Sequence, residues 1–355
     1  MTDVVRVDAE RPDRAAIRRA ADRLRDGGLV AFPTETVYGL GVHALDREAV
    51  RRLFAAKGRP ASDPVIVHVA AREDLEPLVR GVPDAVSALA ARFWPGPLTI
   101  VLPRSAGVPD EVTAGRDTVA VRVPAHPVAQ ALLVEAGVPV AAPSANLFSR
   151  PSPTQAAHVI VDLDGRIDMV VDGGPTLVGL ESTVLDLTGA VARVLRPGAV
   201  TVEMLRAILP RVETSGPEAA AEDQAAGMAS PGLLPRHYAP RTPLLLYGGG
   251  DAALPALLRD AREVLATGRT IGLLALEEDR KMLGALDAPP SRMHVVTLGS
   301  VGNLEGVATR LYAALRELDA AGLDLILARE LPVTSGLGLA INDRLGRAAH
   351  EHRTC

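Results

Sequence analysis

Up to about residue 208, short apolar runs alternate along the chain with longer amphipathic segments. Several runs are rich in β-branched residues and bounded by Gly or Pro, which predicts strands over 29–34, 64–69, 97–103, 118–124, 138–144, 168–174, 182–188 and 192–198. The segments between them predict helices over 12–26, 46–56, 84–93, 126–136 and 154–162, the last with Thr154 as its N-cap. Gly189 and Ala190 separate the last two strands as a hairpin turn would, so we expect a mixed sheet.

The pattern stops after this region and then resumes. Residues 211–230 contain no Leu, Ile or Phe, which predicts a flexible tether, and the stiffer SPGLLPRHYAPR follows at 230–241. Beyond it, apolar strands alternate again with helices near 253–266 and 303–320. We therefore expect an α/β mixed-sheet domain over 1–208, a linker over 209–241, and a smaller doubly wound, Rossmann-like α/β domain over 242–355.

Composition narrows the class of protein. Apolar residues make up 48% of the 355 residues and charged residues 23%, which excludes disorder along the whole chain. The net charge of −5 argues against a protein that binds nucleic acid mainly through its overall field. The single cysteine, Cys355, excludes internal disulfides. The first residues are too charged for a signal peptide and no apolar run is long enough to span a membrane, so we expect a cytoplasmic protein.

Familiar nucleotide and metal motifs are absent from the sequence. There is no GxxxxGK[ST] phosphate loop and no GxGxxG after a strand. The Gly-rich GGGD at 248–251 follows a predicted strand, but three glycines favour a structural turn over a phosphate site. His350 and His352 lack the spacing of a zinc helix and lie at a terminus that we expect to be frayed.

Two cations on one loop are the first candidate site. Only two of the 38 basic residues are lysines, and one of them, Lys57, lies two positions before Arg59 on a loop that contains Gly58 and Pro60. The compact ammonium group of a lysine and the forked guanidinium of an arginine, placed so close together, suit the binding of phosphate oxygens. The alternative is that both residues lie at the solvated C-terminal end of a helix, where basic groups interact favourably with the helix dipole.

Charged residues inside two predicted strands are the second signal. Arg122 lies in the apolar strand TVAVRVP, and alternation puts Thr118 on the same face. A buried guanidinium needs a partner, so Arg122 faces either a ligand carboxylate or an internal carboxylate. His68 lies within the apolar segment VIVHV. It is either a hydrogen-bonded histidine of the core or a residue that projects into a cleft.

Hydroxyl-rich segments follow other strands. FPTETVYGLG at 32–41 carries Thr34, Glu35 and Thr36, either as a ligand site or as a strand–turn–helix junction. Ser144 and Asn146 follow another strand, and the edges of the last two strands carry Ser182 and Arg196. Together, the cations and hydroxyls predict a cleft for one strongly anionic ligand.

The motifs PTETVYGLG, KGRP with PVIVHV, RVP, PSAN, ESTV and RPG occur in the order found in the YrdC-type threonylcarbamoyl-adenylate synthases, which the chain resembles. The linker motif and second domain are similar to the long form of that family. The resemblance implies a twisted mixed sheet and an enzyme that joins L-threonine, bicarbonate and ATP, with Mg²⁺, into threonylcarbamoyl-AMP and pyrophosphate. It also implies downstream tRNA threonylcarbamoyl transferase proteins as partners, without stable tRNA binding.

Carried over motif by motif, the resemblance implies a site with two sides. The threonine side comprises Thr34, Thr36, His68, Arg122 and Ser182. The nucleotide side comprises Lys57, Arg59, Asp63, Thr118, Ala142, Ser144, Asn146, Ser152, Arg196 and Tyr238. Lys57, Arg59 and Tyr238 are the implied catalytic residues, with Tyr238 on a linker that folds over the cleft.

Two questions stay open at this point. Asp63 stands where the family commonly has Asn, so it either holds the metal or turns away from the site. Two other functions remain conceivable: carbamoyl-adenylate chemistry of the hydrogenase-maturation type, whose chains are longer and cysteine-rich, and a non-catalytic RNA-binding module. The 3% aromatic content disfavours the second.

Overall fold

The computed structural model describes residues 1–214, 236–284, 286 and 289–355. The tether predicted over 211–230 and the first half of the SPGLLPRHYAP motif lie largely outside these residues. The chain divides into two compact units: unit 1 contains Met1–Phe148 and Ser152–Leu234, and unit 2 contains Ser149–Pro151 and Pro235–Cys355. Among the described residues, no helix has both the length and the apolar character needed to cross a membrane.

Unit 1 is built on a mixed sheet that has eleven strands within the described residues, and each predicted strand is found in it. The strands are β1 (Asp3–Arg6), β2 (Val30–Pro33), β3 (Tyr38–His43), β4 (Ile66–His68), β5 (Leu98–Pro103), β6 (Thr118–Arg122), β7 (Val140–Ala141), β8 (Met169–Asp172), β9 (Thr183–Asp186), β10 (Ala192–Arg196) and β11 (Val212–Thr214). Their order is β1-β8-β2-β3-β7-β4-β6-β5-β9-β10-β11. Strands β9 and β10 are antiparallel, which confirms the predicted hairpin and mixed sheet.

The helices of unit 1 cover both faces of this sheet. They span Arg14–Arg25, Arg47–Lys57, Asp84–Phe93, Asp110–Thr113, Pro127–Ala136, Ala156–Leu163 and Val202–Arg206. Alternation along β2 shows the two faces, because Val30 and Phe32 belong to one buried cluster and Ala31 to the other. The first cluster packs helices 14–25 and 127–136, and the second packs helices 47–57, 84–93 and 156–163.

Unit 2 carries a second sheet, in which the paired strands of the described residues are all parallel. Its strands are β12 (Leu244–Gly248), β13 (Ile271–Ala275), β14 (Met293–Thr297), β15 (Leu325–Arg329) and β16 (Glu351–Thr354), in the order β14-β13-β15-β12-β16. Its helices span Ala253–Ala266, Arg280–Leu283, Leu304–Ala320 and Gly336–Ala348. Parallel strands that alternate with helices confirm the expected α/β class for this half of the chain.

Three local predictions are wrong, and one alternative that the sequence left open is excluded. The predicted tether begins too early, because residues 212–214 form β11 and pair with β10. The segment after Thr36 forms no strand–turn–helix junction, because it continues as β3, which pairs antiparallel with β2. Thr154 is not the cap of the next helix, since Gln155 holds that position without a side-chain bond. The terminus is not frayed: residues 351–354 form β16, whose backbone pairs with residues 245–248 of β12.

Candidate functional site

Five neighbouring strands of unit 1 bring polar residues to one edge of the mixed sheet. Strands β4 and β6 are parallel and end at this edge with His68 and Arg122. The adjacent β5 runs the other way, so it begins there beside Thr99. Strand β9 begins there after Ser182, and β10 ends there with Arg196. We call this set of residues, with the loop 34–36 that contacts it, the strand-end site.

Arg122 lies at the centre of the strand-end site and is only 3% exposed. Its Nη2 donates to Glu35 Oε1 at 2.7 Å, its Nη1 to Thr36 Oγ1 at 3.1 Å, and its Nε to the Gly96 carbonyl at 3.2 Å. The internal carboxylate that the sequence left open is therefore Glu35. A guanidinium has five N–H donors, so these three bonds leave donor capacity for a ligand carboxylate as well.

The hydroxyls of Thr34 and Thr36 are buried and lie 2.8 Å apart. Thr34 Oγ1 donates to the Val37 carbonyl at 2.6 Å and accepts from the backbone N–H groups of residues 36 and 37. This local turn holds the loop between β2 and β3 in place. It also puts Thr36 against Arg122, as the predicted threonine side requires.

Ser182 and Arg196 meet at the far end of the same edge. Arg196 donates through Nε and Nη2 to the Ser182 carbonyl, at 3.1 and 2.9 Å, and Nη2 also lies 3.2 Å from Ser182 Oγ. Ser182 Oγ is 2.7 Å from Thr99 Oγ1. The structure therefore joins one residue predicted for the threonine side to one predicted for the nucleotide side.

His68 is buried beside Arg122, its partner in the β4–β6 register. The pKa of His68 is lowered to about 3, mainly by burial and also by the nearby Arg122, while backbone groups of Ile66 and Val140 offset part of the shift. The imidazole is consequently neutral at neutral pH, so it adds no charge to this cationic edge.

Lys57 ends the helix 47–57 and is buried. Its Nζ donates to the backbone carbonyls of Ser144 and Asn146, both at 2.5 Å. Burial and the neighbouring Arg59 hold the pKa of Lys57 well below its usual value, while Asp63 opposes this shift. The lysine thus ties the predicted nucleotide loop to the helix, and an ammonium still has a third N–H to donate.

Arg59 and Asp63 form a buried ion pair. Arg59 Nη2 lies 2.8 Å from Asp63 Oδ1, and the guanidinium also donates to the carbonyls of Asp63 and Pro64, at 3.1 and 2.6 Å. Burial raises the pKa of Asp63, whereas Arg59, Lys57 and Arg196 lower it. Asp63 therefore lies close enough to Arg196 for an electrostatic interaction with it. This interaction connects the Lys57–Arg59 loop to the strand-end site.

The remaining predicted residues have diverse surroundings. Ser152 Oγ donates to Glu181 Oε1 at 2.5 Å, next to Ser182 in the chain. The Ala142 N–H is used in a backbone bond to the Ile66 carbonyl at 2.9 Å. Thr118 lies half-buried at the start of β6, four residues before Arg122, and pairs there with Pro103. For Ala142 and Thr118, as for the other predicted site residues, a ligand contact stays a prediction.

Tyr238 belongs to unit 2, where it is buried and has a left-handed backbone with φ of 63°. Its ring packs 5.5 Å from the guanidinium carbon of Arg344 and 5.5 Å from the Tyr312 ring. These contacts account for an aromatic residue at this position within unit 2. A catalytic role for Tyr238 stays a prediction.

Sequence reasoning missed several polar residues at the site. The sequence analysis names Glu35 only as part of its motif and assigns no role to Thr99 or Glu181. Asp162, a buried carboxylate in the helix 156–163, contributes to the electrostatics of Lys57. The signal that could have found such residues is an ionisable side chain in an otherwise apolar segment, such as AHVIVDL for Asp162.

Comparison with known families matches both units. The family described as Telomere recombination matches residues 22–198. The family described as Threonylcarbamoyl-AMP synthase, C-terminal domain, matches residues 200–350. The similarity therefore extends over almost the whole chain.

Individual relatives are similar over the same extent. Threonylcarbamoyl-AMP synthase of Bacillus subtilis (strain 168) is 44% identical, with 94% of this chain and 92% of that protein covered. The Pyrococcus abyssi (strain GE5 / Orsay) protein of the same name is 42% identical, with 98% of each covered. The crystal structure of P. abyssi Sua5 complexed with L-threonine is 41% identical, has a TM-score of 0.90 and covers 100% of both chains.

Proposed function

Because the chain belongs to the threonylcarbamoyl-AMP synthase family, we propose that the strand-end site and the adjacent Lys57–Arg59 loop form the active site of this enzyme. The reaction joins L-threonine, bicarbonate and ATP into threonylcarbamoyl-AMP and pyrophosphate, for threonylcarbamoyladenosine modification of tRNA. The observation that carries the proposal is the convergence of buried cations, Arg122 and Arg196, with hydroxyls on neighbouring strands of one sheet edge.

Threonine binds, in this proposal, at the Arg122 end. Arg122 pairs with the substrate carboxylate through the N–H donors that its three internal bonds leave. Thr36 and Ser182 bind the other polar groups of the amino acid. The L-threonine complex of the P. abyssi protein supports a threonine-binding pocket in this family.

The triphosphate binds at the Lys57 and Arg59 end, with Arg196 between the two substrates. Support comes from the mutual electrostatics of Lys57, Arg59 and Arg196 around Asp63. Lys57, Arg59 and Arg196 cluster near Asp63, with Asp162 also close to Lys57, and a cluster of cations favours phosphate oxygens. Ser144, Asn146 and Ser152 line the loop that Lys57 holds through two carbonyl bonds.

The chemistry needs alignment and charge neutralisation more than a protein nucleophile. The threonine amine condenses with bicarbonate and loses water, or adds CO₂ and loses a proton, to give a carbamate. One carbamate oxygen then attacks the α-phosphorus of ATP, and the bond from that phosphorus to pyrophosphate breaks. Lys57, Arg59 and Arg196 offset the charge that develops on the phosphates. Burial of the site excludes water, which would otherwise hydrolyse the carbamate and the mixed anhydride.

We propose that Mg²⁺ binds together with ATP and is coordinated by its phosphates, as is usual where a protein does not provide a complete set of metal ligands. The described residues contain no group of three or more His, Cys, Asp or Glu side chains placed to hold a metal ion. Asp63, the one carboxylate that the sequence suggested as a ligand, is paired with Arg59. The part of the chain that the structure describes therefore does not fit a resident metal ion.

The wider setting is part of the same proposal. The product passes in the cytoplasm to the tRNA threonylcarbamoyl transferase proteins, and this chain itself does not bind tRNA stably. The net charge of −5 supports the second point. A catalytic role for Tyr238 is part of the same proposal.

The decisive experiment is an omission assay on the full chain. With ATP, threonine and bicarbonate together, pyrophosphate and a species with the mass of threonylcarbamoyl-AMP should form. Omission of any one substrate should abolish both signals. Release of pyrophosphate without threonine, or RNA binding without turnover, would contradict the proposal.

A further inference from the structure

Glu35 holds a position that the reaction above does not use. Its carboxylate is buried at 5% exposure in the loop between β2 and β3, beside the proposed threonine pocket. Oε1 accepts from Arg122 Nη2 at 2.7 Å, and Oε2 accepts from the Ala125 backbone N–H at 3.0 Å. One side chain thus bonds both to Arg122 and to the backbone three residues further along.

These two bonds fix the orientation of Arg122. The Nε bond to the Gly96 carbonyl anchors the base of the guanidinium, and Glu35 anchors its Nη2 end. A planar group held at two edges cannot rotate, so its remaining N–H donors point in one direction. Glu35 also compensates the charge of the buried Arg122 before any ligand arrives.

The orientation extends to the neighbouring hydroxyls. The hydroxyls of Thr34 and Thr36 lie 2.8 Å apart, and either one can donate to the other. Thr36 Oγ1 accepts from Arg122 Nη1 at 3.1 Å. The guanidinium that Glu35 holds therefore also holds the Thr36 hydroxyl in place beside the proposed threonine pocket.

The loop itself does not need the Glu35 side chain. The turn is held by Thr34, and the backbone carbonyls of Glu35 and Thr36 accept from the N–H groups of Val178 and Gly179 at 2.8 and 3.0 Å. None of these bonds involves the carboxylate. Within the described residues the carboxylate bonds to Arg122 and to the Ala125 N–H, so its effect on the site is exerted through Arg122.

We propose that Glu35 is the positioning residue for threonine: it aims Arg122 at the substrate carboxylate and, through Arg122, positions the Thr36 hydroxyl. The inference rests on the proposed function, since it assumes that Arg122 binds threonine. Glu35 contacts no reacting atom and makes no bond to the Lys57–Arg59 loop. Its loss should therefore weaken threonine binding selectively and leave nucleotide binding nearly unchanged.

The test is Glu35→Gln, measured by calorimetric titration with L-threonine and by separate KM values for threonine and ATP. An amide cannot accept from both Arg122 and the Ala125 N–H with the same charge, so threonine affinity should fall at least about tenfold. The KM for ATP should stay within about threefold. Glu35→Asp keeps the charge with a shorter reach and should restore part of the affinity.

A substrate analogue makes the readout specific. 1-Aminopropan-2-ol lacks the carboxylate, so its weak binding should be the same in the wild type and in Glu35→Gln. The ratio of threonine to analogue affinity should fall about tenfold in the variant. A merely structural role for Glu35 would weaken both ligands and ATP together, and that result would overturn the proposal.

Two control variants separate the possible failures. Asp279→Asn breaks a comparable buried pair in unit 2, where Arg329 Nη2 lies 2.8 Å from Asp279 Oδ1, and should lower thermal stability without changing threonine affinity. Arg122→Lys should weaken threonine binding. If Arg122→Lys has an effect and Glu35→Gln has none, this inference fails alone; if neither has an effect, the proposed threonine site fails with it.

Discussion

The two sheets differ in what occupies the edge where an α/β fold usually binds ligands. In unit 2 that edge follows β12 and is filled by the chain's own atoms. A Cβ at Gly248 would lie 2.9 Å from Glu330 Oε2, and one at Gly249 would lie 2.5 Å from the Cys355 carbonyl oxygen. The Gly-rich GGGD segment therefore serves close packing, which agrees with its interpretation as a structural turn.

Charged residues show the same contrast. In unit 2 two cations each have a carboxylate partner: Arg329 pairs with Asp279, and Arg353 pairs with Asp260. In unit 1 Asp63 faces three cations at once, and the pKa of Lys57 is lowered by burial and by a neighbouring arginine. An isolated ion pair suits a structural role, whereas a cluster of buried like charges suits a ligand of the opposite sign, even where a member such as Arg59 also has a carboxylate partner.

The largest expected effect comes from removing one of the clustered cations of unit 1, Lys57. Lys57→Ala should reduce threonylcarbamoyl-AMP formation at least about 100-fold, as does the loss of one preorganised contact to developing charge. Pyrophosphate release from ATP measures the rate. Lys57→Met, which keeps the volume of the buried chain, should show the same loss and so exclude a packing defect.

Lys281 provides the matched control. It is the only other lysine and is exposed in the helix Arg280–Leu283 of unit 2. Lys281→Ala should leave the rate unchanged. Near-normal turnover of folded Lys57→Ala would instead show that the cluster of cations in unit 1 has no role in catalysis.

A smaller effect is expected from the neutral histidine of the strand-end site. The pKa of His68 is about 3 in the folded protein and near 6.5 when unfolded. Between these values the unfolded state binds the extra proton, so His68 lowers stability progressively as the pH falls below 6.5 and has no such effect above it. From pH 6.5 to 5 the loss amounts to about 2 kcal/mol.

Urea unfolding at pH 7 and pH 5 measures this loss. His68→Gln cannot titrate, so the decrease between the two pH values should be smaller in the variant by about 2 kcal/mol. The other histidines contribute equally to both proteins and cancel. Identical pH dependence in the two proteins would mean that His68 is accessible to protons in the folded state.

The fold class follows from the sequence because apolar periodicity is a local property, but four strands were not predicted from it: β1, β3, β11 and β16. Two of them, β3 and β16, show why. Strand β3 contains Gly39 and Gly41, which suggest a turn. The structure gives a different reason for Gly41: a Cβ there would lie 2.8 Å from both Phe32 and Val140. Residue 140 is distant in sequence, so this crowding could not be predicted. Strand β16, EHRT, contains no apolar residue, and it is held by backbone pairing with β12 and by side-chain bonds such as that of Arg353 to Asp260.

The candidate site shows the same limit. Its residue types were predictable because Lys57, Arg122 and Arg196 are charges beside or within apolar segments. Their internal partners were not, since the carbonyls bonded by Lys57 lie 87 and 89 residues away and Glu35 lies 87 residues before Arg122. Those partners decide which N–H donors remain for a ligand, and only the fold supplies them.

The smallest expected effect tests the filled edge of unit 2. Gly249 and Gly322 both have left-handed backbones, with φ of 108° and 67°, but only Gly249 has backbone atoms in the place of a Cβ. Gly322→Ala should lower the free energy of unfolding by about 1 kcal/mol from backbone strain alone. Gly249→Ala should lose about 1 kcal/mol more and expose the amides of β16 to hydrogen exchange, because residue 355 must move away. Equal losses in the two variants would mean that β12 does not need its glycines for packing, and a ligand at that edge would again have to be considered.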